Sequence, residues 1–162
     1  MFVELESIFN NVGSFREVDY SFIPEDEELV SGSVKVDAKI ENRAGIVTFS
    51  GKAYFMLVAD CDRCAERFER EMSVDFNHVL VTEIQNEDND DYVVVEGMKL
   101  DVDSLLREDI ILSLPSQLLC SEDCKGLCHI CGANLNKKQC GCKKPVDSRL
   151  AVLMQLLEDD NK

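Results

Sequence analysis

The chain is short of positive charge. Its 162 residues carry 17 lysines and arginines against 32 aspartates and glutamates, a net charge of −15. A general nucleic-acid binder gains most of its affinity by neutralising phosphates. The balance therefore excludes tight, non-specific binding of RNA by the body of the chain, and DNA is not an expected ligand. Protein partners, or a weak RNA contact confined to a small patch, are what such an acidic chain allows. Long apolar runs are also missing, and no stretch reaches the roughly 20 residues a membrane span needs. The opening MFVELESIFN lacks the basic stretch and apolar run of a secretory signal. A cytoplasmic protein with no membrane contact is the expectation. Histidines number two, and no G-x-S-x-G or H-E-x-x-H occurs. GIVTFSGK has the wrong glycine spacing for a phosphate-binding loop, and Lys52 is followed by Ala53 rather than Ser or Thr. The chain is expected not to be an enzyme.

What is present is a globular composition, 45 % hydrophobic, at the length of one ordinary domain. Residues 1–100 read mostly as strands. FVEL and REVDYSF are short candidates. Val34, Val36, Ala38 and Ile40 alternate with Lys35, Asp37, Lys39 and Glu41, the period of a half-buried strand. NRAG (42–45) is a turn before IVTF, and a second turn is expected at Ser50–Gly51, leading into KAYFMLVAD. CDRC at 61–64 is a tight turn. Phe68, Met72, Val74, Phe76, His78, Leu80 and Ile84 then share one face of a long strand, or of two strands with a bend, with His78 a packed core histidine. QNEDNDD (85–91) reads as a solvated loop and YVVVE as a further strand. Residues 101–115 form a helix with Asp101 as N-cap and Val102, Leu105, Leu106, Ile110 and Leu114 on its apolar face. A closing helix is expected over 147–158. The fold class is therefore α+β: an antiparallel sheet or small barrel with C-terminal helices and a zinc-stapled cysteine loop.

Six of the eight cysteines fall between residues 120 and 142. In a reducing compartment such clustering means metal or redox chemistry rather than disulfides. Cys128-His-Ile-Cys131-Gly132 is the most specific local signal. Two intervening residues let a turn aim both thiolates at one tetrahedral ion, and the glycine lets the backbone turn on. The first choice for the other two ligands is Cys140 and Cys142, giving one Zn²⁺ on Cys128, Cys131, Cys140 and Cys142. Cys120 and Cys124 are the rival second pair. Cys61 and Cys64 have three readings: half of a second zinc site with Cys120 and Cys124, a redox pair, or a turn with two free thiols. Redox ranks last, because strands rather than a βαβ unit flank the pair. His129 is expected to point outward from the metal turn. Five lysines (125, 137, 138, 143, 144) and two acids lie between 120 and 144. They neutralise a thiolate core, and Lys137, Lys138, Lys143 and Lys144 could also touch RNA or a partner.

CDRCAERF, LREDIILSLP, LCSEDCKGLCHICGANLN and DSRLAVLMQLL follow in that order, and the combination resembles the YceD family, the large ribosomal RNA subunit accumulation proteins. The resemblance covers roughly the last two thirds of the chain. It implies a single YceD-like domain over 1–162 and a role in accumulation of 23S rRNA, through synthesis, processing or assembly of the large ribosomal subunit. Ribosomal proteins or pre-ribosomal particles are then the expected partners. It implies no enzymatic activity. Some members keep the C-x-x-C without the later cluster, so the resemblance makes residues 120–144 a structural staple of one branch. The competing functions are a zinc-stapled interaction module outside ribosome biogenesis and a thiol redox protein using Cys61 and Cys64.

Overall fold

The computed structural model describes residues 1–24, 29–83 and 92–142. Their contacts divide into two compact units, residues 1–62 with 66–120, and residues 63–65 with those from 121 onward.

The first unit is built on a curled five-stranded half-barrel. Its strands are β2 (Phe15–Phe22), β3 (Val30–Arg43), β4 (Ile46–Asp60), β5 (Arg67–Val81) and β6 (Tyr92–Val94), in that spatial order. β2 to β5 form an antiparallel meander, whereas β6 runs parallel to β5, Val79 to Val81 pairing with Tyr92 to Val94. Strict alternation drives the sheet's two faces apart. Val34, Val36, Ala38 and Ile40 are buried, while Lys35, Asp37, Lys39 and Glu41 lie on the other face. A second, two-stranded sheet pairs β1 (Phe2–Glu4) with β7 (Lys99–Asp101), Val3 standing opposite Leu100. Among the described residues two α-helices, α1 (Glu6–Asn10) and α2 (Val102–Ser113), and a short 3-10 turn (Glu96–Met98) complete the unit. α2 buries Val102, Leu106 and Ile110 in a core that includes Phe49, Phe55, Leu57 and Leu80. Among the described residues no helix is long and apolar enough to cross a membrane.

Two local devices hold the meander. Arg43 pairs with Ile46, leaving Ala44 and Gly45 as a two-residue turn, both at positive φ (53° and 89°). That is the turn whose twist matches a hairpin. Asn42 is buried beside it. Its amide donates to the carbonyls of Ile8 (2.8 Å) and Phe9 (3.3 Å), and its carbonyl accepts from the Gly45 N–H (3.0 Å). α1 is thereby tied to the hairpin.

Several expectations change. Helix content among the described residues is small and the sheet is mixed rather than purely antiparallel, so the fold is mostly β. Ser50–Gly51 is not a turn, because both residues lie inside the continuous β4. A Cβ at Gly51 would stand 2.4 Å from the Asp37 carbonyl oxygen and 2.6 Å from the Ala38 Cβ. The glycine marks close approach of two strands, the other meaning a strand glycine can have. Asp101 is the N-cap residue of α2, as expected, but it also ends β7 and makes no side-chain capping bond. β1 falls on the FVEL candidate, whereas α1, β7 and the pairing of β1 with β7 lie outside the expectations. The acidic loop at 85–91 and the helix at 147–158 lie outside the described residues.

The described residues of the second unit include few apolar side chains, and backbone hydrogen bonds shape them. Leu127 and Asn134 form a bridge, the Cys128 N–H donates to the Ala133 carbonyl (2.8 Å), and the Leu135 N–H donates to that of Gly126 (2.9 Å). Gly126 (φ 72°) brings the chain so close to Arg63 that a Cβ would sit 2.9 Å from the Arg63 carbonyl oxygen. That oxygen accepts the Leu127 N–H at 2.9 Å.

Candidate metal centres

Two groups of four cysteines come together, Cys61 with Cys64, Cys120 and Cys124, and Cys128 with Cys131, Cys140 and Cys142. Within each group all sulfurs lie within 4.8 Å of one another. Cys120 and Cys124 stand with the Cys61–Cys64 pair rather than with the Cys128–Cys131 pair.

Each C-x-x-C is a turn of the same construction. The N–H of its first cysteine donates to the carbonyl five residues on, Cys61 to Glu66 (2.9 Å) and Cys128 to Ala133 (2.8 Å). The residue after its second cysteine has positive φ, Ala65 at 55° and Gly132 at 68°. The C-H-I-C-G signature was legible because glycine announces the left-handed turn. C-D-R-C-A disguises the same turn with an alanine.

The donor sets fit zinc. A tetrahedral Zn²⁺ with Zn–S bonds of about 2.3 Å holds its sulfurs roughly 3.8 Å apart. Sulfurs already within 4.8 Å need small displacements to reach that arrangement. Electrostatics in the second group point the same way. The Cys128 thiol is lowered to about 6, first by the Cys131 backbone N–H and then by that of Ile130, both aimed at its sulfur. The Cys142 thiol is pushed up to about 12, chiefly by its hydrogen bond to the Cys131 sulfur. Four adjacent thiols cannot ionise together unaided, and a bound cation removes that conflict. Zn²⁺ would supply structural cross-linking there: four thiolates complete its tetrahedron and leave no open position for a substrate.

The groups differ in exposure. Cys61, Cys64 and Cys124 are 2–3 % exposed, whereas Cys131 and Cys142 lie at the surface. Residues that position these cysteines carried no readable signal in the sequence. The Asn136 amide donates to the Cys124 sulfur (3.2 Å), and the Arg63 guanidinium donates to the Cys124 carbonyl (3.1 Å). Arg70 donates to the carbonyls of Leu119 (2.9 Å) and Cys120 (3.3 Å). The Asp62 carboxylate accepts the Leu118 N–H at 2.7 Å.

The other singled-out residues are placed as follows. His129 is exposed on its turn. His78 is half-buried; its ring stacks on that of Phe76 (centroids 6.1 Å apart), and its Nε2 lies 2.7 Å from Asp109 Oδ2, so it also links β5 to α2 through a polar contact. The backbone N–H groups of Lys137 (3.2 Å) and Lys138 (3.1 Å) donate to the Asn134 carbonyl. Lys143 and Lys144 lie outside the described residues.

These features define a β-sheet protein with two four-cysteine groups suited to structural metal. The model of one family, described as "Large ribosomal RNA subunit accumulation protein YceD", matches residues 49–157, and the chain belongs to that family. All eight cysteines fall inside the matched span. The chain is 25 % identical over 142 residues to the Zea mays protein named "Large ribosomal RNA subunit accumulation protein YCED homolog 1, chloroplastic", covering 68 % of this chain and 48 % of that one. The Arabidopsis thaliana protein of the same name is 38 % identical over 47 residues, 29 % of this chain and 15 % of the relative. An uncharacterised Mycobacterium leprae protein is 25 % identical over 107 residues, 63 % and 49 % of the two chains. The chain thus spans less than half the length of each of these relatives. No solved structure matches it.

Proposed function

We propose that this chain is a non-enzymatic factor for accumulation of the large-subunit (23S) ribosomal RNA, acting in synthesis, processing or assembly of that subunit. The family match over residues 49–157 carries the reading. Its working partners are ribosomal proteins or pre-ribosomal particles, met in the cytoplasm, and its metal is zinc on Cys128, Cys131, Cys140 and Cys142 and on Cys61, Cys64, Cys120 and Cys124. Saturated four-thiolate sets support a structural rather than a catalytic ion. The burial of Cys61 and Cys64 argues against an accessible redox pair. Direct RNA contact is weak and local, through Lys137, Lys138, Lys143 and Lys144, because the chain as a whole repels phosphate.

Deletion of the gene tests the reading. The ratio of large- to small-subunit rRNA should fall, and the protein should co-sediment with particles smaller than the mature large subunit. Unchanged levels of both rRNAs and no co-sedimentation would leave a zinc-stapled interaction module outside ribosome biogenesis. Changing the four lysines to Glu separates two routes. Normal rRNA with zinc retained assigns the lysines to neutralising the metal unit.

A further inference from the structure

The first unit carries an apolar groove, distinct from the cysteine groups, with a volume of about 490 Å³. Its floor is apolar: Phe2 from β1, Val93 and Val94 from β6, Leu100 from β7 and Leu105 from α2. Phe2 is 70 % exposed and Val94 43 %, and Tyr92 beside them is 41 % exposed. Side chains of this size left at the surface, close together, mark a contact surface. The rim decides what kind. Glu96, Asp101 and Glu108 line it against one cation, Lys99. Asp101 has the terminal amine of Met1 at 3.5 Å, but Glu96 and Glu108 make no ion pair among the described residues. A second geometric fact bears on the occupant's conformation. β6 is the last strand of its sheet among the described residues, and beyond β5 its other edge has no strand partner there. Such an edge accepts an extended chain, whose alternate side chains can then enter pockets beneath it.

We propose that this groove docks an extended segment of a partner protein in which apolar residues alternate with lysine or arginine. The apolar side chains cover Phe2, Val93, Val94 and Leu105, and the cations meet Glu96 and Glu108. Charge complementarity selects a basic segment over an acidic one and speeds its capture, while the apolar contacts set its residence time. This assignment stands on the groove alone and does not depend on the ribosomal reading.

The test uses the full chain, isotope-labelled for amide spectra, and a short synthetic peptide alternating lysine and leucine. Binding should shift the amides of Val93, Val94, Leu100, Ser104 and Leu105 and weaken as salt rises from about 50 to about 500 mM. A glutamate–leucine peptide should not bind, and a lysine–serine peptide should bind about tenfold more weakly. The Glu96→Lys, Glu108→Lys variant should also lose about tenfold while keeping the parent spectrum elsewhere. Both glutamates are at the surface, so its fold is not at risk. Equal affinity for the acidic peptide overturns the proposal. So do shifts confined to the opposite sheet face around Asp19, Asp37 and Asp75. A peptide-free, concentration-dependent dimer that shifts the groove amides assigns the groove to a second copy of this chain and overturns it too.

Discussion

Ala65 and Gly132 occupy the same place in two turns. Each follows the second cysteine of a C-x-x-C, and each lies in the left-handed region, at φ 55° and 68°. A side chain there costs about 1 kcal/mol, which glycine avoids. Gly132→Ala should therefore destabilise the protein by about 1 kcal/mol. Ala65→Gly relieves a similar strain but loosens the unfolded chain, so its net change should stay within about 0.5 kcal/mol. Denaturant unfolding of the zinc-loaded protein measures both.

Metal content is the most direct check on the cysteine groups. Purified protein should carry two zinc ions per chain, one for each group of four sulfurs. Cys128→Ser with Cys131→Ser should lower that to one, and so should Cys61→Ser with Cys64→Ser. Elemental analysis of each variant reads the result, and one zinc in the parent protein would remove one of the sites.

Exposure sets an order of release. Cys131 and Cys142 lie at the surface, whereas Cys61, Cys64 and Cys124 are buried. A chelator with an alkylating agent should label Cys131 and Cys142 first, with loss of one zinc, while Cys61 and Cys64 remain protected. Mass mapping of the labelled cysteines follows the sequence of events. Simultaneous labelling of both groups would mean that they open as one.

Gly51→Ala tests the closeness of β3 and β4. The new methyl would meet Asp37 and Ala38 backbone atoms at 2.4–2.5 Å. Neither can rotate away, so the cost should be about 3 kcal/mol, at the upper end for overpacking. Soluble yield and the urea midpoint should both drop.

Asn42→Ala removes a donor to Ile8 and Phe9 and an acceptor for Gly45 at a site 1 % exposed. Leaving those groups buried without partners should cost about 2–3 kcal/mol. Ala44→Asn, next to it at φ 53°, should instead stabilise the protein by about 0.5–1 kcal/mol, because asparagine tolerates the left-handed turn. Thermal unfolding of the two variants should move in opposite directions.

The sequence declares what local physics determines. Alternation from Val34 to Ile40 marks its strand, because one face of that strand is buried and the other is wet. The stripe from Val102 to Ile110 marks α2 for the same reason at helical period. Gly51 misleads, since one residue type serves both a turn and a close strand approach, and only the opposite strand distinguishes them. α1 is five residues long with no side-chain cap, too short for periodicity to register. β1 and β7 are three residues each, and each is a strand only because the other exists. The Cys128-x-x-Cys131 half-site announces itself by spacing. That Cys120 and Cys124 stand with Cys61 and Cys64 is a matter of chain path, which spacing does not contain.

The pairing of Val3 with Leu100 bears on how the chain folds as it is made. β2, β3, β4 and β5 pair with their sequence neighbours, so each new strand finds its partner already formed. β1 precedes the meander in the chain and is completed late: Val3, buried in the finished protein, has no strand partner until Leu100 has left the exit tunnel. Closing so long a loop carries a larger entropic cost than any hairpin in the meander. Until then the growing chain holds a half-built sheet beside an unpaired apolar strand, and this window is its most vulnerable to aggregation.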